Sequence, residues 1–212
     1  MNLSTVNVWL DFNEDDILKY FDNLYKLTLE EKVEESKFLE NDNYLLKMLF
    51  YFLEYPKNIY LRIYACSILS NVMGMDSPFQ GELMQVLVEF DVVKKFLNVL
   101  EKETDQKFLI NAILGLGNFY LERNFNGLDS QRNKLFLLNY LSDNYDKFSE
   151  KEDRQTLIWA QVNVMKGELQ NNFTITYDDF FGRFLNLLYN ETCERNLIEM
   201  LTLISEHTSN LI

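Results

Sequence analysis

The sequence predicts an all-α chain folded as a curved helical solenoid, and three observations predict it. First, three apolar stretches end in an asparagine set in one frame: Ser67-Ile-Leu-Ser-Asn71, Leu114-Gly-Leu-Gly-Asn118 and Trp159-Ala-Gln-Val-Asn163. The asparagines stand 47 and 45 residues apart, inside the period of roughly 40–47 residues that marks arrays of stacked helical units. Second, apolar residues recur at spacings of three and four, the period of a helix face. Third, chain breakers are scarce: 212 residues hold seven glycines and two prolines. Asn126-Gly127 follows a helical segment and does not join two alternating runs, so no hairpin is expected.

Each frame asparagine carries the same apolar offsets. Ala65, Leu69 and Val72 surround Asn71 as Ala112, Leu116 and Phe119 surround Asn118, while Leu157, Gln161 and Val164 surround Asn163 with one polar exception. A shorter amphipathic helix precedes each long one: Tyr44–Phe50, Val92–Leu100, Lys134–Leu141 and, further on, Phe180–Leu188. Asp76-Ser77-Pro78 sets a capping residue and a proline before Phe79, the signature of an additional helix start. Three helices per unit favour an armadillo over a HEAT arrangement. Ile17–Leu27 is the long helix of a partial first unit, and Leu201–Ser205 belongs to a last unit without its asparagine. Terminal units face water on one side and are expected to be atypical. The expected organisation is one armadillo/HEAT-like domain over residues 1–212, with about four repeats and an amino-terminal capping helix.

Charge bounds the partners. The chain carries 33 acidic and 20 basic residues, a net charge of −13. Phosphates need a positive surface, so nucleic acid is a poor partner and a basic peptide or protein segment a better one. An acidic surface also serves solubility alone. Residues 1–11 lack a basic stretch followed by an apolar core, and no apolar run reaches the ~20 residues of a spanning helix. Neither secretion nor a membrane partner is expected. Cys66 and Cys193 lie far apart in helical patterns, which suits buried thiols in a reducing compartment, cytoplasmic or nuclear. Two glycosylation sequons, at Asn172 and Asn190, are then chance matches.

Catalytic chemistry has little to stand on. His207 is the only histidine, and no second ligand lies at metal spacing, so no metal site and no cofactor are expected. Phosphate-binding loops and nucleophile–base sets do not stand out. Asp15-Asp16 and Asp178-Asp179 are adjacent in sequence, and on a helix neighbours diverge by about 100°. They suit the first turn of a helix, where negative charge is favoured. The chain is expected not to be an enzyme.

The three stretches Ala65–Val72, Ala112–Phe119 and Thr156–Val164 resemble the third-helix motif of importin alpha (karyopherin alpha) armadillo proteins, in which a tryptophan precedes an asparagine by four residues. Asp153–Gly167 carries the closest likeness. The resemblance spans roughly residues 13–208 and implies a right-handed superhelix that binds a nuclear localisation signal on its concave face, a role in nuclear import. It assigns Asn71, Asn118 and Asn163 to bond a peptide backbone, Trp159 to wall a lysine or arginine stem, and Glu122 to receive a charged head. Asp76 and Glu168 lie five residues beyond their asparagines. Cation–π contact with such a wall contributes ~0.5–2 kcal/mol. Ser67 and Leu114 stand at two of the family's tryptophan positions, Asp91 stands near a helix-joining glycine, and no arginine-rich segment precedes the first repeat. Two other readings fit a short acidic solenoid: a co-chaperone like the Hsp70 nucleotide-exchange factors of armadillo type, and a scaffold subunit of a larger complex.

Overall fold

The structure, a computed structural model, describes residues 13–30, 32–34, 36–75, 80–121, 128–169, 198 and 202, with the backbone alone at 80, 128–131 and 167–169. Among these residues it is all-α: eight helices, one 3-10 turn and no strand. The chain divides into two compact units, Met1–Val92 and Val93–Ile212.

The first unit is built on α1 (Glu14–Leu29), α2 (Ser36–Leu53), α3 (Ile59–Gly74) and α4 (Gln80–Glu89). Asn13 starts α1 by accepting the Asp15 amide at 3.0 Å, and Glu14, Asp15 and Asp16 place negative charge in the first turn. Ile17, Phe21, Leu24 and Thr28 are its buried stripe. Phe21 meets Phe52 edge to face, with centroids 5.4 Å apart, so two large rings leave water together. α3 packs against both α1 and α2 and is buried on most sides, from Leu61 and Ile63 through Met73. Its start is pinned twice. Asn58 accepts the Tyr60 and Leu61 amides, and Glu14 accepts the Tyr55 hydroxyl and the Asn58 amide group.

Two turns in this unit adopt left-handed backbone. Asn41, Asp42 and Asn43 have φ of 51°, 59° and 57° and kink α2. Short polar side chains are the non-glycine residues that tolerate this region best. Beyond the end of α4, Asp91 has φ 55° and donates its amide to Val88 O at 2.9 Å. Aspartate is among the non-glycine residues that tolerate this left-handed position best.

The second unit holds α5 (Val92–Lys102, from Val93 onward), α6 (Gln106–Leu121), α7 (Leu128–Asn144), a 3-10 turn (Tyr145–Lys147) and α8 (Lys151–Leu169). α6 and α8 form its most extensive helix pair, and α7 packs on α8. Asp105 caps α6 by accepting the Phe108 amide. Arg154 anchors the start of α8: its guanidinium donates to Phe148 O and Ser149 O and lies 5.9 Å from the Tyr145 ring centroid. Lys134, buried on α7, sets its ammonium 5.5 Å from the Tyr120 ring centroid.

The apolar frame holds in both units. Ala65, Leu69, Val72, Ala112, Leu116, Phe119, Leu157, Gln161 and Val164 are all buried. They form the core faces of α3, α6 and α8. Cys66 is buried with them, and desolvation pushes its thiol far above the usual range. The helix start expected at Asp76–Pro78 falls outside the described residues, as do Asp178-Asp179, Cys193, His207 and the element expected at 180–188; of the element expected at 201–205 only Thr202 is described, and it is helical.

Candidate functional site

The frame asparagines occupy equivalent places on the long helices α3, α6 and α8, and the surroundings of two of them follow one rule. Asn71 Nδ2 donates to Thr28 Oγ1 on α1 at 3.0 Å. Asn163 Nδ2 donates to Gly117 O on α6 at 3.3 Å. Each side-chain amide therefore reaches back to an earlier long helix of its own unit, over 43 and 46 residues of sequence. These bonds hold helix to helix.

The two ties differ in depth. Asn71 is half-buried, and its acceptor Thr28 in turn donates to Tyr25 O at 2.8 Å. Asn163 is 1% exposed. Its closer seat depends on Gly117, where a β-carbon would stand 2.7 Å from Trp159 Cζ3 and 3.1 Å from Ala160 Cα. Only hydrogen fits there, so the ring of Trp159 and the backbone of α8 rest directly against α6. Glycine inside a helix costs about 1 kcal/mol relative to alanine, and the close approach offsets it.

Asn118 and Trp159 are the frame residues of α6 and α8 that keep partial exposure. Ile110, Asn111 and Leu114 are half-exposed beside them, at helical spacing along α6. Of the positions where the family carries tryptophan, Ser67 is buried and donates its hydroxyl to Ile63 O, and Leu114 is half-buried. At the start of α8 Asp153 is half-exposed, and burial followed by the charges of Glu150 and Glu152 holds its carboxyl above the usual range. Glu122 and Asp76 lie outside the described residues, and the Glu168 side chain is not described.

Sequence reasoning missed Thr28 and Gly117, the two acceptors. Gly117 was detectable: a glycine in mid-helix with apolar neighbours signals close backbone packing. Thr28 left no comparable signal, because its role appears only once α1 lies beside α3. Gln161, the polar exception to the frame, is fully buried, with Nε2 3.4 Å from Ser142 Oγ and Oε1 without a hydrogen-bond partner.

No group of three or more histidine, cysteine or acidic side chains that could hold a metal occurs among the described residues, and none of their helices is long and apolar enough to cross a membrane. Comparison with protein families, with curated proteins and with solved structures finds no match to this chain.

Proposed function

We propose that this chain is a protein-binding armadillo-type solenoid, right-handed and importin-alpha-like, that works by gripping a basic, extended peptide segment and not by catalysis. The observation that carries the reading is the pairing of Asn118 with Trp159. Both side chains keep partial exposure on helices packed against each other, and the Trp159 ring rests on Gly117, the residue before Asn118. An amide can bond a peptide backbone, and an indole face can take a lysine or arginine stem. The net charge of −13 favours a basic partner. A nuclear localisation signal is the natural ligand class on this reading, and the cytoplasm or nucleus the natural setting.

A fluorescent Lys-Lys-Lys-Arg-Lys peptide, titrated over a salt series, tests it. Binding should weaken steeply as salt rises, and Asn118→Ala should lower affinity about five- to tenfold by removing one backbone hydrogen bond. Absence of binding at low salt, or indifference to Asn118→Ala in a folded variant, contradicts the proposal.

A second reading has an observation of its own. Asn71 and Asn163 spend their Nδ2 groups inside the fold, which favours a scaffold whose asparagine frame exists to stiffen it. Under that reading the peptide does not bind, while Asn163→Ala still destabilises the chain.

A further inference from the structure

A cleft of about 570 Å³ opens in the first unit between one face of α1, the segment after it and the kinked start of α2. That volume falls in the range of roughly 300–1,000 Å³ typical of small-molecule sites. Ile17, Leu24, Leu27, Val33, Leu45 and Met48 give it an aliphatic lining. Tyr20 and Tyr44 also line it, 48% and 41% exposed, and burial followed by the nearby Tyr44 raises the Tyr20 phenol above its ordinary range. Asn23 and Asn41 add amides.

The charges around it balance. Asp16 and Glu40 share the lining with Lys32 and Lys37; Lys32 is paired with Glu30 at 2.6 Å and Asp16 with Lys19 at 3.8 Å. In a chain of net charge −13, a cleft with no excess of acid is not built for a basic peptide. The same balance gives a fatty-acid carboxylate no dedicated counter-charge. Aliphatic walls with phenols and amides instead match a ligand that is apolar along its body and hydroxyl- or amide-bearing at one end.

The kink shapes this wall. Asn41, Asp42 and Asn43 run through left-handed backbone, which non-glycine residues seldom adopt three in a row. Asn41, the first residue of the turn, and Tyr44, the residue after it, both line the cleft. Strain of this kind concentrates where a fold presents side chains to a ligand. We infer that the cleft between α1 and the α2 kink binds a small, uncharged aliphatic amphiphile.

The test uses the full chain and the neutral fluorophore N-phenyl-1-naphthylamine, displaced by decanol, decanoate or decyltrimethylammonium. One saturable site is expected, with decanol the strongest competitor. Leu27→Trp, which fills the cleft, and Tyr44→Ala, which removes a wall, should each weaken probe binding about tenfold, the scale of one lost apolar contact. Tyr60→Ala, which alters a more exposed tyrosine outside the cleft, should leave it unchanged. Far-UV circular dichroism confirms folding, and should Leu27→Trp not fold, Tyr44→Ala carries the test. Lack of a saturable site, equal or better competition by either charged decyl compound, or unaltered binding in a folded cleft variant overturns the inference.

Discussion

The α1–α3 pair of the first unit and the α6–α8 pair of the second solve one problem in two ways. Both use a frame asparagine to tie a long helix to an earlier one. In the first pair the acceptor is a side chain, Thr28, and Asn71 stays half-exposed. In the second it is the backbone at Gly117, and Asn163 is sealed from water. The residue facing the asparagine thus sets the depth of the tie. A threonine holds the donor at the surface, whereas a glycine lets the indole of Trp159 and the backbone of Ala160 close in.

The largest expected effect breaks the second arrangement. Gly117→Ala gains helix propensity, but its methyl must fit 2.7 Å from Trp159 Cζ3 and 3.1 Å from the Ala160 backbone. Overpacking of this kind costs about 1–3 kcal/mol. Urea unfolding should show that net loss, together with an altered Trp159 emission. Thr28→Ala has no such clash and should leave that emission unchanged.

Next comes the contrast between the asparagines themselves. Asn163→Ala removes a buried donor from a carbonyl and should cost about 1–3 kcal/mol, whereas Asn71→Ala removes a half-exposed bond worth about 0.5–1.5 kcal/mol. Equal losses in chemical denaturation would erase the distinction.

Gln161→Leu should move stability the other way. The equivalent residues Leu69 and Leu116 are buried without strain on hydrogen bonding, while Gln161 buries an oxygen with no partner. Replacing it stabilises the second unit by about 1 kcal/mol after the loss of the long Ser142 contact. The smallest effect belongs to the end of α4 in the first unit: Asp91→Gly relieves a left-handed φ and should raise stability by up to about 1 kcal/mol, read as a shift in urea midpoint.

The all-α class was legible because helical period and breaker scarcity are local properties. The core faces were legible too, since the offsets around Asn71, Asn118 and Asn163 repeat and apolar residues at those offsets have one place to go. Gln161, written as the exception, is buried all the same, because register fixes a position's face even when the residue is polar. The partners of the asparagines were harder to see. Thr28 and Gly117 lie more than 40 residues away from them, and nothing in a linear pattern says which neighbour a helix will lie against. The kink at Asn41–Asn43 was hidden as well: the helix was expected from Tyr44, and nothing in the linear pattern says that helical backbone precedes it across a left-handed turn.

Hydrogen exchange of the asparagine side-chain amides, resolved by nitrogen-15 NMR, tests the tie between long helices most directly. With Asn163 buried against Gly117 and Asn71 half-exposed against Thr28, the Asn163 amide protons should exchange more slowly than those of Asn71 by an order of magnitude or more. Exchange of Asn163 at the rate of Asn71, or at the rate of an exposed amide, would contradict the account.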